Sequence, residues 1–343
     1  MKRSYFNKAK ADADHQTNSA AFFIENGILS AGWSFKNTLE MRADAAEKIH
    51  NFNDYRAYFE ETVAKLNWKK KWNNQGVHYL FDNLQAGDFV WIRDKGVYWV
   101  TEIPDDPKAM FKFDMSEKYI EYDAVAHIGP LKWVRVGTEE MVPGSVSTAK
   151  GRLKGAMQRI DNGDESDPFG NEWYTTTSLI GKLAINQEQH SPSLKIELSK
   201  SQIFNLMVAS GLEDLLAMWL FDKYGFIVIP STNKLSTELY EFVMIDGRSR
   251  TDKKIYVQTK NGKVDLYSDN YKGILRNGTH DEVWLLTRSG AIDGDDTSHF
   301  VKVTIDHVEK HSLDELIEFI FDKNNDAILP PLVKKWITKF DWR

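Results

Sequence analysis

The sequence predicts two domains of different class, a mostly β unit followed by an α/β unit, and three observations carry that expectation. A chain of 343 residues exceeds the usual size of one compact domain, about 100–200 residues. The stretch GDFVWIRDKGVYWVTEI in the first half reads as a β-hairpin, whereas from residue 199 onward the pattern turns to alternating helix and strand. Between them DNGDESDPFGNEWYTTTS mixes acid, Gly, Pro and polar residues, as inter-domain connectors do. The expected boundaries are therefore 1–160 for the first domain, 161–195 for the connector and 196–343 for the second domain.

Within the first half, residues 37–73 are helical in pattern, with Tyr55, Tyr58, Phe59, Val63 and Leu66 recurring at spacings of three and four. The hairpin turns at Asp94-Lys95-Gly96. Alternation places Phe89 and Trp91 on one face of its first strand, and Val97 and Trp99 on one face of its second. A further strand over 131–136 leads to the pair Pro143-Gly144. Trp33, Trp68, Trp72, Trp91, Trp99 and Trp133 all lie in this half, more rings than one small core requires, which suggests a stacking surface.

In the second half, residues 199–223 are amphipathic and divide near Gly211, and 226–229 form a short apolar strand. Residues 239–245 and 254–259 read as paired strands around the turn Asp246-Gly247-Arg248. A helix-capable stretch follows, then the strand EVWLLT at 282–287.

Composition narrows the chemistry. Cysteine is absent, which excludes disulfides, thiolate zinc sites, iron–sulfur clusters and cysteine nucleophiles, so any metal is held by oxygen or imidazole. The opening MKRSYFNKAKADADHQ lacks the apolar core of a signal peptide, and no segment approaches the ~20 apolar residues of a membrane span. No membrane partner and a cytoplasmic location are expected. A net charge of −6 argues against a protein that coats nucleic acid, yet leaves room for a local basic track. Residues 145–160 are such a track: Lys150, Arg152, Lys154 and Arg159 with no acid among them.

One set of residues in the second half carries a family resemblance. GLEDLLAMWLFDKYGFIVIP, TELYEFVMI and VQTKNG follow one another in order, and together they resemble the PD-(D/E)XK nuclease superfamily in its Mrr-type branch. The resemblance covers roughly 199–287 and implies a restriction-endonuclease-like α/β domain. It also implies a catalytic set of Glu213 on the opening helix, Glu241 on the second strand, and Gln258 and Lys260 on the third. Glu238 is a less favoured alternative to Glu241. Glutamate stands where aspartate is commoner at 241, and glutamine replaces the acid at 258, a change the Mrr-type branch tolerates. Phosphodiester hydrolysis needs a hard cation with oxygen ligands, so the resemblance implies Mg2+ or Mn2+ held by Glu241 and Gln258, with Glu213 in an outer or water-mediated role. Residues two apart on a strand share a face, so Gln258 and Lys260 point the same way. Lys260 then orients the attacking water or neutralises charge on the phosphorane.

In the first half NGILSAGW, the GDFVWIR hairpin and VPGSV ahead of the basic segment resemble PUA-like folds of the EVE and YTH type, over roughly 21–160. That resemblance implies a mostly β reader that accepts a flipped modified base between aromatic walls, each stacked base worth about 1–3 kcal/mol. Trp33, Trp91 and Trp99 are the candidate walls, with Lys150 and Arg152 on the adjoining track. Joined, the halves imply a modification-dependent, type IV-like DNA endonuclease, with a homodimer as the means of cutting both strands. The alternative is a nuclease-derived binding protein that no longer cuts.

Overall fold

The computed structural model describes residues 2–9, 18–32, 39–67, 69, 71–74, 76–149, 155–160, 175–188, 197–232, 239–249, 251–260, 264–288, 290–295 and 299–343. The chain is a mixed α/β protein in two compact units, Met1–Leu194 and Lys195–Arg343. Among the described residues no helix is long and apolar enough to cross a membrane.

The first unit is built on strands β1 (Ser4–Asn7), β2 (Leu29–Ser30), β3 (Phe89–Asp94), β4 (Val97–Glu102), β5 (Phe111–Phe113), β6 (Ala126–Ile128), β7 (Val134–Gly137) and β8 (Met157–Arg159). They form a five-stranded sheet in the order β7-β4-β3-β1-β8 and a three-stranded sheet in the order β2-β6-β5. The β3–β4 hairpin is the one expected. Lys95 and Gly96 both have positive φ, at 45° and 87°, which is the two-residue turn whose twist matches the flanking strands. Helices α1 (Ser19–Asn26), α2 (Leu39–Lys48), α3 (Phe52–Lys65) and α4 (Thr176–Glu188) contribute more residues than the strands do. Among the described residues the unit is therefore mixed α/β.

Two local expectations change. The helical pattern of 37–73 resolves into α2 and α3, because Asn51 and Asp54 cap a new helix reciprocally, each side chain accepting the other's backbone N–H. The stretch expected as a connector contains α4, which packs on the five-stranded sheet. A side chain at Gly181 of α4 would meet Phe89 and Val100 at 3.0 and 3.2 Å, Ser178 Oγ donates to the Lys2 carbonyl, and Lys182 pairs with Glu102 at 2.7 Å. Glycine at 181 is what lets helix and sheet approach. That helix belongs to the first unit.

The second unit is a six-stranded sheet in the order β10 (Phe226–Val228), β11 (Phe242–Asp246), β12 (Lys254–Lys260), β13 (Glu282–Thr287), β14 (His299–Val303) and β15 (Val308–Ser312). All neighbours are antiparallel except β12 and β13, which run parallel. Helix α5 (Ala209–Tyr224) ends at Gly225, whose φ of 75° closes the helix and turns the chain into β10. It covers one face of the sheet through Trp219, edge-on to Trp284 and Phe300 at ring distances of 5.6 and 5.1 Å. The opposite face carries Val283, Leu285, Val301 and Val303, buried against Leu266, Tyr271 and Ile292. Instead of an α-helix, a 3-10 helix at Ser268–Ile274 follows β12. Helices α6 (Leu313–Phe321) and α7 (Pro331–Lys339) complete the unit, with a short parallel pair of β9 (Glu197–Leu198) and β16 (Asp341–Trp342).

Candidate active site

The four candidate catalytic residues gather at one end of the six-stranded sheet. Glu241 lies one residue before β11 rather than within it, but its N–H donates to the Val257 carbonyl at 2.8 Å, which continues the β11–β12 ladder. That register sets its side chain beside Gln258, and strand alternation brings Lys260 to the same face. Lys260 Nζ donates to Glu241 Oε1 at 2.9 Å, and Gln258 Nε2 donates to the same oxygen at 3.3 Å. The ion pair keeps about a third of each side chain exposed, 33% for Lys260 and 30% for Glu241. Gln258 is fully buried, and its Oε1 has no hydrogen-bond partner.

A buried amide oxygen without a donor costs about 1–3 kcal/mol. The amide spends its N–H on Glu241 and leaves its acceptor idle, so what would satisfy that oxygen is positive charge or a proton donor. A hard cation meets this demand, with Glu241 and the Gln258 carbonyl as oxygen donors. Among the described residues no group of three or more His, Cys, Asp or Glu side chains is arranged to hold a metal ion. The set here differs in kind, since one of its donors is an amide.

Glu213, on the second turn of α5, comes close enough to feel the other members. Burial pushes its carboxyl up to about 7, the Glu241 and Asp214 charges push in the same direction, and Lys260 opposes them. A helix-dipole role would leave this acid comfortable as the anion; instead its surroundings penalise the charge. Tyr271, buried on the same face as Glu241, has its hydroxyl raised by burial and then by that carboxylate. Sequence reasoning missed this residue, because a tyrosine inside an irregular 3-10 segment carries no spacing signal. Glu238 lies outside the described residues.

The base-binding candidates of the first unit fare differently. Trp33, Lys150 and Arg152 lie outside the described residues. Trp91 is fully buried, on the face of β3 that α4 covers, and its Nε1 has no hydrogen-bond partner. It cannot offer a ring face to a base. The register Ile92↔Trp99 puts Trp99 on the opposite face of the sheet, half-buried against the core formed by Val90, Ile92 and Met157. Trp91 and Trp99 therefore cannot be two walls of one pocket. A cavity of about 470 Å³ in this unit is lined by Glu102, Pro104, Pro130, Leu131, Lys132 and Ile185, with no aromatic ring among them.

Comparisons with protein-family models, with curated proteins and with solved structures return no match for this chain.

Proposed function

We propose that the second unit is a metal-dependent phosphodiesterase of the PD-(D/E)XK, Mrr-type kind that hydrolyses DNA. The observation that carries this reading is the idle, buried Oε1 of Gln258 on the same sheet face as the Glu241–Lys260 pair. The order of α5, β10, β11, β12 and β13 along the chain is also the order the sequence resemblance implies.

Glu241 and the Gln258 carbonyl would hold Mg2+ or Mn2+, which when bound supplies a Lewis acid for a phosphoryl oxygen and lowers the pKa of a bound water. Lys260 would set its ammonium against the attacking water or the charge developing on the phosphorane. Glu213, ionised in this arrangement, orients water at the site's rim or accepts its proton.

The first unit would report a modified base, making the whole a modification-dependent, type IV-like endonuclease. Support for this finer part is narrower: of its described tryptophan candidates, Trp99 keeps exposed surface and Trp91 does not. A cut through both strands takes two such sites, hence a pair of chains.

The test is direct. The protein is incubated with unmodified, methylated and hydroxymethylated duplexes, with Mg2+, Mn2+ or a chelator, beside Glu241→Ala and Lys260→Ala. Metal-dependent cleavage by the parent chain and its loss in both variants is the expected result. Binding without cleavage under every condition would favour the second reading, an inactive nucleic-acid-binding protein. The ion pair between Lys260 and Glu241, which satisfies the site's charges internally, is the observation on that side.

A further inference from the structure

Lys260 is the last residue of β12, and the strand is held there from one side. Among the described residues β11 pairs with β12 from Lys254 to Val257, and the Glu241 N–H, which extends that ladder, reaches only the Val257 carbonyl. Gln258, Thr259 and Lys260 pair instead with β13, in the register Gln258↔Leu285, Thr259↔Leu286 and Lys260↔Thr287. A strand end bonded along one edge opens readily, and the flexible four-carbon stem of a lysine passes any shift of its backbone on to the ammonium. Where the Lys260 ammonium sits therefore depends on how β13 grips the end of β12.

Thr287 supplies that grip. It lies opposite Lys260 on the parallel neighbour, shares its face of the sheet, and is fully buried. Its hydroxyl works as donor and acceptor at once: Oγ1 donates to the Val264 carbonyl at 3.0 Å and accepts the Gly290 N–H at 3.1 Å. The next residue, Arg288, donates its N–H to the Lys260 carbonyl at 2.9 Å. Consecutive residues of β13 and its exit thus bind the chain at Lys260, where it leaves β12, and again at Val264. Gly290 closes the contact. A Cβ there would lie 1.9 Å from the Val264 carbonyl oxygen, so only glycine lets the two backbones approach this closely. The seam continues with Leu266 N–H donating to the Ala291 carbonyl and Ala291 N–H to Asp265 Oδ1, both at 2.8 Å. It ends where Ser268, the first residue of the 3-10 helix that carries Tyr271, donates its N–H to Asp293 Oδ1 at 2.7 Å.

We infer that Thr287 is a positioning residue for Lys260: its hydroxyl locks the returning chain at Val264 to the end of β13, and so fixes the backbone from which the ammonium reaches Glu241. The inference rests on the nuclease reading for the reaction that this ammonium serves; the clamp itself stands apart from it. Thr287 touches no substrate in this role. Misplacing a reacting group by about 1 Å costs on the order of 10²-fold in rate, so a loosened clamp lowers kcat and leaves KM for DNA largely alone.

Thr287→Val keeps the shape of the side chain without its hydroxyl, whereas Thr287→Ser keeps the hydroxyl. Both are compared with the parent by steady-state cleavage of a DNA duplex in Mg2+, and without metal by amide hydrogen exchange at Arg288, whose N–H reports the bond to Lys260. Thr287→Val should lower kcat about tenfold at a KM within about twofold of the parent, and speed exchange at Arg288 about tenfold. Thr287→Ser should stay within about threefold of the parent in both measurements. Asp281→Ala weakens the opposite end of β12, where Asp281 accepts the Lys254 N–H at 2.8 Å, and should leave kcat unchanged. An equal loss of kcat there would ascribe the effect to general destabilisation and overturn the inference. If Thr287→Val does not fold, Asp265→Ala loosens the same seam from an exposed position and should lower kcat about threefold. A parent-like kcat in the folded variant also overturns the inference. If the parent cuts no duplex, the nuclease reading falls and exchange decides the clamp: faster exchange at Arg288 in Thr287→Val upholds it, and parent-like protection sinks it.

Discussion

The two ends of strand β12 hold two polar clusters that differ in completeness. At its start, Asp281 has no exposed side-chain surface and every acceptor is used. Oδ1 takes the Lys254 N–H at 2.8 Å and Arg276 Nη2 at 3.0 Å, while Oδ2 takes Arg276 Nε at 2.7 Å. Although burial works against it, these bonds hold the carboxyl down at about 2. At the other end, Glu241 accepts from Lys260 and Gln258, yet Gln258 keeps an idle buried oxygen and Glu213 is pushed up to about 7. A cluster that only staples a sheet can close its hydrogen bonding. One that admits an ion and a substrate, as proposed for this site, would leave valences open and charges uncomfortable.

Breaking each end should therefore have opposite consequences. The largest effect expected is on chemistry: Lys260→Ala lowers DNA cleavage by about 10³-fold, roughly 4 kcal/mol of transition-state stabilisation. Its effect on unfolding by urea stays within about 1 kcal/mol, because the partly exposed pair contributes little to stability. Asp281→Ala should do the reverse, removing about 3 kcal/mol of stability by leaving the partners of a buried carboxylate unmatched, while magnesium affinity measured by calorimetry is retained.

Acid titration sharpens the same contrast. For Asp281 the folded value of about 2 lies below its ordinary 3.8, so its stabilisation is fully present above pH 4 and disappears as pH falls toward 2. Glu213 has the opposite sign. Its folded value of about 7 lies above the ordinary 4.5, so the metal-free fold favours the protonated form and loses stability as pH climbs from 4.5 through 7. In metal-free buffer Glu213→Gln should therefore raise the urea midpoint at pH 8 and leave it nearly unchanged at pH 4.5. Equal midpoints for parent and variant at both pH values would show that this acid feels neither burial nor its neighbours.

Gln258→Glu is the smallest and most discriminating change. It restores a second carboxylate at a fully buried position, so magnesium should bind about tenfold more tightly and the metal-free chain should melt at a lower temperature. Unchanged affinity would remove Gln258 from the ligand set.

Much of the second unit was legible because its signals are local. Tyr224-Gly225 ends a helix by backbone conformation, Asp246 caps its turn by accepting from Arg248 and Ser249, and two-residue spacing puts Gln258 and Lys260 on one face. Strands β14 and β15 were missed, since HFVKV and VEKHS interleave charge with apolar residues and derive their pairing from partners far along the chain. Trp91 was misplaced as a pocket wall for a related reason. Alternation sorts Phe89 and Trp91 from Ile92, but it cannot reveal that both faces are covered. The cover on the Trp91 face is α4, a helix hidden in a stretch whose neighbours look like linker.

The position of β1 has a consequence for biosynthesis. Ser4–Asn7 lies inside the five-stranded sheet, parallel to Phe89–Asp94 on one side and antiparallel to Met157–Arg159 on the other. A ribosome releases this tetrapeptide long before either companion, so the nascent chain must shelter an apolar Tyr-Phe pair until some 150 further residues have been translated, about ten seconds or more at ordinary elongation rates.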